Sequence, residues 1–337
     1  MLITACAPAT STANEPDTAG VADAAAHDDH AEAGDAGAGI DAHLTHAADL
    51  TPVTLGDGEL LQVAATTNII ADVVAQVGGD AIALTALVPT GADPHSYQAK
   101  PDDLRLLDDA HVLFVNGLGL EEAMASILAS LETTPLVSVN EDVTPRALEA
   151  AADDAAHDHG GIDPHTWMDV ANVQLWVDTI EAALRALDPA HADTFAANAA
   201  AYRAELDALD AEIRAQIETI PPERRKLVTD HDSFGYFAAA YGVEVIGTVI
   251  PALSTLASPS ARQLAALQDQ LAQQDVAAVF VGTTVNPQVA ERLAGDLGIR
   301  VVPVYTGSLS AADGPAASYV ALMRYDVQAL VDALGGE

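Results

Sequence analysis

The sequence has a single cysteine, Cys6, among 337 residues. One cysteine excludes an intrachain disulfide and also excludes a zinc site built from four thiolates. Basic residues are scarce as well, because 13 Lys and Arg stand against 50 Asp and Glu, which gives a formal net charge of −37. Such a charge repels nucleic acid and anionic lipid and concentrates cations near the protein. A general preference for acidic surfaces would produce the same charge, so the charge alone does not identify a ligand.

Long apolar runs are also missing, and none reaches the roughly 20 residues that a membrane-spanning helix needs. Contact with a membrane is therefore expected only through a lipid anchor. The candidate for lipidation is Cys6, because "ITAC" resembles the end of a bacterial lipoprotein signal. A basic start and an apolar stretch should lie upstream of such a cysteine. We expect Met1 to be a misplaced start and residues 1–6 to be a remnant of the signal.

Large apolar side chains are rare in residues 7–56, which we predict to be a disordered acidic tether. The chain up to Thr51 contains nine Asp or Glu and no Lys or Arg. A segment of this composition cannot bury enough surface to fold alone. Its four histidines are His27, His30, His43 and His46. Histidines among carboxylates suit auxiliary capture of divalent metal, and an ordinary solvated linker is an equally good interpretation.

The rest of the chain predicts a two-lobed α/β protein with mainly parallel sheets. Apolar runs such as "HVLFVNG" and "VAAVFVG" alternate with helical patterns, as in buried parallel strands linked by helices. A long alanine-rich helical stretch after Asp188-Pro189 would span about 45 Å, which suits a linking helix between lobes. The predicted segments are an N-terminal lobe (57–150), a histidine-containing loop and outgoing helix (151–188), the linking helix (189–220) and a C-terminal lobe (221–337).

The tripeptide Asp-Pro-His occurs twice, in "GADPHSYQAKPDD" and in "IDPHTWMDV". Proline fixes its own φ and favours an extended conformation in the residue before it, so this step orients the next side chain reproducibly. His95 and His165 are thus candidate metal ligands, although an ordinary turn would use the same step. Asp93 and Asp163 could accept hydrogen bonds from the imidazoles or could simply stabilise the turns.

A third histidine, His231, follows the strand candidate "KLVTD". Ligands of open α/β sheets gather at the carboxyl ends of the strands, and His95 likewise follows a predicted strand. The three histidines come from separate elements, 70 and 66 residues apart, and could converge in a cleft between the lobes. For any one of them taken singly, a structural role is more common than metal binding.

Four blocks, carried in order by "GADPHSYQAKPDDLRLLDDAHVLFVNGLGLE", "DPHTWMDVANV", "TDHDSFGYFAAAYGV" and "YTGSLSAADGPAASYVALMRYDV", resemble one family. It is the cluster A-I (cluster 9) family of zinc and manganese substrate-binding proteins of bacterial ABC transporters. The resemblance runs from about Leu60 to the C-terminus. It implies two lobes joined by a long backbone helix and one metal ion held in the interlobe cleft by His95, His165 and His231.

The resemblance further implies a permease and an ATPase as partners. It implies an extracytoplasmic location, lipid-anchored to the outer face of the cell membrane, or periplasmic in a Gram-negative bacterium. A monomer is expected. The function implied is zinc capture and delivery to the importer, without enzymatic activity.

The sequence departs from the family where a carboxylate usually completes the site. Some members have a glutamate where this chain has Gly282, and many have an aspartate where it has Gly307. The fourth ligand is thus expected to be water or Asp313. Three neutral imidazoles suit zinc, whereas manganese prefers carboxylate oxygens, so Zn²⁺ is favoured over Mn²⁺.

Other side chains have secondary roles in this interpretation. Tyr97 and Trp167 follow the two Asp-Pro-His steps and are expected to wall the site. His157 and His159 in "AAHDHGG" resemble a short version of the histidine-rich loop of zinc members, although a plain polar loop would also fit. His111 and His191 are expected to be structural.

Three other functions remain open at this point: a manganese-binding member of the same family, a metal-binding adhesin or storage lipoprotein, and a three-histidine zinc hydrolase. A hydrolase would need a general base and a substrate pocket beside an open zinc position. The sequence contains no HExxH motif, which disfavours the enzyme.

Overall fold

The computed structural model describes residues 40, 43–147, 161–274 and 276–335. Eight strands occur in these residues, and each is three to five residues long. They are β1 (Leu61–Ala65), β2 (Ile82–Ala86), β3 (Val112–Val115), β4 (Leu136–Ser138), β5 (Lys226–Thr229), β6 (Glu244–Thr248), β7 (Ala278–Gly282) and β8 (Arg300–Val304).

The strands form two parallel four-stranded sheets, one in each lobe. The first has the order β2-β1-β3-β4 and the second the order β6-β5-β7-β8. In the first sheet Val63 pairs with Leu84, and in the second Phe280 pairs with Val302. In both sheets the order reverses direction beside the first strand of the lobe, which is where α/β folds place their ligands.

The described residues contain nine α-helices, most of which connect or cover the strands. They are α1 (Asn68–Gly78), α2 (Pro101–Asp108), α3 (Ala125–Leu128), α4 (Val170–Leu187), α5 (Ala192–Glu218), α6 (Gly235–Tyr241), α7 (Ala261–Leu271), α8 (Gln288–Leu297) and α9 (Tyr319–Leu334). Single 3₁₀ turns occur at Ala47–Asp49, Gly79–Ala81, Glu122–Met124, Thr166–Met168, Pro189–His191 and Pro222–Arg224.

Helix α5 is the predicted linking helix, and it packs against both lobes. Its buried side chains recur every three or four residues on one stripe: Phe195, Ala199, Tyr202, Leu206, Leu209, Ile213 and Ile217. This stripe contacts α1 and α4 on one side and α6 and α9 on the other. Because apolar side chains of both sheets join the same core cluster, the lobes share one core along this helix. The expected two-lobed fold with a long helix is thereby confirmed.

Two local expectations need correction. The apolar spacing of residues 120–132, "LEEAMASILASLE", predicts a helix, but they form only a 3₁₀ turn and the single turn of α3. The other correction concerns residues 43–56, which were assigned to the disordered tether but pack on the first lobe. Leu44 bridges Leu136 of β4, Ala47 is buried, and the Val53 amide donates to Leu187 O. A few apolar side chains are enough to dock this otherwise polar segment on the lobe. The average composition of residues 7–56 does not reveal them.

Within the part of the chain that the structure describes, no helix combines the length and apolar character needed to cross a bilayer.

Candidate metal site

Both Asp-Pro-His steps form tight turns in which the aspartate binds the histidine two residues later. Asp93 Oδ1 accepts the His95 backbone N–H at 3.1 Å, and Asp163 Oδ1 accepts the His165 N–H at 3.0 Å. These bonds fix the backbone from which each imidazole extends. Asp163 has a second role, because its Oδ1 also lies 2.9 Å from His165 Nδ1. Asp163 therefore both stabilises the turn and orients the imidazole, the two roles that the sequence left open. Of these two roles, Asp93 has only that of stabilising the turn.

His231 lies at the carboxyl end of β5, beside β7. The Asp230 carboxylate next to it lies 3.0 Å from His231 Nδ1 through Oδ1 and accepts the Gly282 N–H at 3.0 Å through Oδ2. Asp230 thus orients the imidazole and ties it to the neighbouring strand. Asp230 was not among the residues predicted from the sequence. Its signal was an aspartate directly beside the candidate ligand at a strand end, which is a common arrangement behind metal-binding imidazoles.

The three imidazoles meet at their Nε2 atoms. His165 Nε2 lies 3.1 Å from His95 Nε2 and 3.2 Å from His231 Nε2. All three potential ligand atoms lie within 4.8 Å of one another, and all three side chains are buried. Nitrogen ligands 2.0–2.1 Å from a tetrahedral zinc ion would be about 3.3 Å apart. The arrangement therefore matches the space around one small divalent cation.

Burial and the two aspartates act in opposite directions on the imidazole pKa values. Burial is the main cause that lowers the pKa of His95 well below 6.5, and the other two histidines lower it further. Burial also lowers the pKa of His165, although Asp163 partly opposes it. For His231 burial is the largest single effect, but the charges and hydrogen bond of Asp230, with Asp93 and Asp232, raise its pKa. Two of the imidazoles are thus kept neutral, the form that binds metal.

A buried polar network holds the second Asp-Pro-His turn from behind. The Asn116 amide donates to Pro164 O at 3.0 Å, and Asn140 Oδ1 accepts from the Thr166 hydroxyl at 2.7 Å and from Trp176 Nε1 at 2.6 Å. The fully buried Glu121 in turn accepts the Asn116 N–H at 2.7 Å. These bonds restrict where His165 can lie, because they hold the residues on either side of it.

The two aromatic residues have different positions. Trp167 packs edge-on against His165, with ring centroids 5.3 Å apart, and its Nε1 donates to Thr306 O at 3.0 Å. Trp167 therefore connects the segment that carries His165 to the second lobe. Tyr97 is half-buried, packs with the outer core of the first lobe, and donates its hydroxyl to Asp103 at the start of α2.

The two glycines and Asp313 show whether this chain supplies a fourth ligand. In the described part of the chain, the group of mutually close potential ligands contains the three histidines and no carboxylate. Asp313 is exposed and lies outside this group. A Cβ on Gly282 would overlap Thr306 Oγ1, whereas a Cβ on Gly307 would lie 3.1 Å from Pro94 Cδ and 3.3 Å from Thr284 Oγ1. Among the described residues, the three histidines are thus the protein ligands that the structure brings together.

The other histidines of the described residues do not join the cluster. His111 Nδ1 accepts the Gln62 N–H at 3.0 Å, and His191 pairs with Asp188 at 2.6 Å, so both have structural partners as expected. His46 pairs with Glu141 at 2.5 Å, and His43 is exposed. His27, His30, His157, His159 and Cys6 lie outside the described residues.

Residues 63–333 match the family model for the periplasmic zinc-uptake complex component A, ZnuA. The manganese-binding lipoprotein MntA of Halalkalibacterium halodurans is 33% identical over 282 residues, 83% of this chain and 91% of the relative. The iron ABC transporter substrate-binding lipoprotein MtsA of Streptococcus pyogenes is 29% identical, over 88% of this chain and 96% of the relative. Among solved structures, the periplasmic zinc-binding protein TroA of Treponema pallidum superposes with a TM-score of 0.75 at 29% identity, over 82% of this chain and all of that one.

Proposed function

Because the chain belongs to the family of the periplasmic zinc-uptake complex component A, we propose that it is an extracytoplasmic solute-binding protein that captures Zn²⁺ and delivers it to an ABC-type metal importer. The relatives named above bind manganese, iron or zinc, so family membership supports a divalent metal as ligand. The choice of zinc depends on the residues of this chain.

One observation carries the proposal: three buried imidazoles have ring nitrogens within 4.8 Å of one another, a spacing that suits a single small ion. A carboxylate lies behind two of the imidazoles, at His165 and His231. Such partners fix the orientation of a ligating imidazole and increase its basicity. They also place negative charge near the ion without binding it directly. This donor set favours zinc, which accepts nitrogen readily, over manganese, which prefers oxygen.

The partners would be a permease and an ATPase, as the family implies, and Cys6 would carry the lipid that holds the protein at the membrane. Labelling cells with a radioactive fatty acid tests the anchor: label should enter the wild-type protein and be absent from Cys6→Ala. Equal label in both proteins would exclude Cys6 as the lipidated residue.

Zinc binding is tested by native mass spectrometry with elemental analysis, followed by competition with a chromophoric chelator. We expect one tightly bound zinc per chain. Alanine at His95, His165 or His231 should each weaken zinc binding by at least about a hundredfold, because each removes one of three protein ligands. His191→Ala, which changes a histidine outside the cluster, should leave the affinity unchanged. A variant of the three that keeps wild-type affinity would remove that residue from the site.

The alternatives are outcomes of the same measurements. Comparable zinc and manganese affinities would favour a manganese member of the family. Tight zinc binding with no effect on cellular zinc uptake when the gene is deleted would favour an adhesin or a storage lipoprotein. Turnover of esters, peptides or bicarbonate by the zinc-loaded protein would indicate a hydrolase. Asp163 and Asp230, the carboxylates nearest the imidazoles, are already engaged by them, which argues against either acting as a general base.

A further inference from the structure

A cavity of about 260 Å³ is lined mostly by residues of the second lobe and includes residues beside the metal ligands. Its lining includes Asp93, in the turn that orients His95, and Asp230, which orients His231. These carboxylates are the charged side chains among the described residues that line it. A passage whose fixed charges are both negative attracts a divalent cation.

A second cavity, of about 590 Å³, lies against Asp163 and Asp232, but its charge is different. Arg146 lines it, and the guanidinium of this residue donates to Gly235 O at the cavity wall. A fixed positive charge opposes the entry of a cation. The cavity beside Asp93 and Asp230 is therefore the better path to the three histidines.

Residues 250–259 form one wall of that path, and they are held differently from the rest of the lobe. This segment lies between β6 and α7 and contains no helix or strand. Leu256 at its tip is 57% exposed, so the tip is not anchored by packing in the core. Its connections to the first lobe are two side-chain hydrogen bonds: the Thr255 hydroxyl donates to Asp93 Oδ2, and the Ser254 hydroxyl donates to Glu122 Oε1.

We infer that residues 250–259 are a lid over the path to the metal site, and that Thr255 and Ser254 are the latches that hold it shut. The inference depends on the proposed function, since it concerns how the metal enters and leaves. The buried histidines cannot exchange metal with solvent unless some covering segment opens. Backbone bonds from the Ile250 N–H to Asp230 O and from the Asp232 N–H to Ala252 O anchor its base in the second lobe. Among the described residues, its tip is tied to the first lobe by the two hydroxyl–carboxylate bonds. Thr255 also binds the same carboxylate that fixes the His95 turn, so closing the lid stabilises one ligand.

The test compares zinc exchange rates in Thr255→Val, Ser254→Ala and the double variant by stopped-flow chelator competition. Valine keeps the shape of threonine but removes the hydroxyl. Because a hydrogen bond to a charged group contributes a factor of roughly ten to an equilibrium, we expect association and dissociation rates to rise together, each by about three- to tenfold. The dissociation constant should change by less than about threefold. Thr255→Ser, which keeps the hydroxyl, and Ser258→Ala, on the same segment, should behave like wild type.

Blocking the proposed path with a large side chain should slow zinc exchange, whereas loss of the latches should speed it. Ala257 is exposed and lines the proposed path, so Ala257→Phe should slow both rates at least about threefold with little effect on affinity. Ala239 is exposed and lines the other cavity, and Ala239→Phe should leave the rates unchanged. Slowing by Ala239→Phe but not by Ala257→Phe would overturn the choice of path.

Amide hydrogen exchange of the metal-free protein tests the lid separately from metal binding. Exchange in 250–259 should increase in Thr255→Val and not in Thr255→Ser, whatever ion the protein carries. Unchanged exchange, or increased exchange without faster metal exchange, would refute the lid. A wild-type protein that binds no zinc but shows the exchange result would refute the proposed function and leave the lid in place.

Discussion

Gly307 is the position at which a single substitution should change metal preference most. Its φ is not in the left-handed region, so an aspartate there needs no unusual backbone. An added Cβ would lie 3.1 Å from Pro94 Cδ and 3.3 Å from Thr284 Oγ1. These contacts are tight but can be relieved by shifts of a few tenths of an ångström. Because Pro94 directly precedes His95, the new carboxylate would start beside the ligand cluster.

The expected size of the effect follows from the donor set. In the wild-type protein the three imidazoles should favour zinc over manganese by at least about a thousandfold, or about 4 kcal/mol. We take the gain from the added carboxylate to be like that of a hydrogen bond to a charged group, about 1.5–3 kcal/mol, and overpacking against Pro94 costs about 1 kcal/mol. Gly307→Asp should therefore raise manganese affinity by about tenfold. Zinc should gain less, since nitrogen already satisfies most of its coordination.

Competition titrations of Zn²⁺ and Mn²⁺ on wild type and Gly307→Asp measure this change directly. Gly307→Ala is the matched control, because it adds the same crowding without the charge and should weaken both metals equally. Gly282→Asp is the contrasting variant: its Cβ would overlap Thr306 Oγ1 and approach Asp230 Oδ2 to 3.2 Å, so it should destabilise the fold. Equal zinc and manganese affinities in the wild-type protein, or a zinc preference that Gly307→Asp leaves unchanged, would refute this reasoning.

Three further predictions concern the carboxylates behind the site, the protons that compete with the metal, and the first residues of the fold. Asp163→Asn should weaken zinc binding by about tenfold and Asp163→Ala by up to about a hundredfold, as measured by chelator competition. Equal zinc affinity in the wild-type protein and both variants would contradict the proposal that Asp163 orients His165. The pKa of His231 is raised, whereas those of His95 and His165 are lowered. Zinc affinity should therefore begin to fall as the pH drops from above 6.5, and zinc binding in that range should release about one proton. A dependence on three protons in that range would show that all three imidazoles titrate together. A chain that starts at Ile40 should have the melting temperature of the full chain. A chain that starts at Val53 loses the buried Ala47 and the Leu44 pairing and should melt several degrees lower, at about 2–4 °C per kcal/mol of lost stability. Equal melting temperatures by calorimetry would mean that residues 43–52 add nothing to stability.

The alternation of apolar runs and amphipathic stretches was sufficient to predict the two α/β lobes, because buried parallel strands and their covering helices have distinct periodicities. The long helix was predictable for the same reason, with Asp188-Pro189 marking its start. The structure of residues 120–132 was not predictable in this way. Their sequence, "LEEAMASILASLE", has helical periodicity, but Leu118, with a φ of 56°, and neighbouring turns interrupt the segment. The docking of residues 43–56 was also missed, since it depends on a few contacts with β4 and α4 that composition does not reveal.

The sequence by itself determined the candidate ligands: Asp-Pro-His twice and a histidine at a strand end define where each imidazole begins, because proline and strand termini fix the local backbone. Only the tertiary structure decided that His165 Nε2 lies 3.1 Å from His95 Nε2 and 3.2 Å from His231 Nε2, and that Asp230 rather than Asp93 supports an imidazole. It also decided that a side chain at Gly282 would overlap Thr306, whereas one at Gly307 would meet only tight contacts. The three imidazoles belong to residues 70 and 66 positions apart, and their distances depend on how two sheets pack against one shared helix. Local patterns set the direction of a side chain, but only the packing of distant segments sets what that side chain meets.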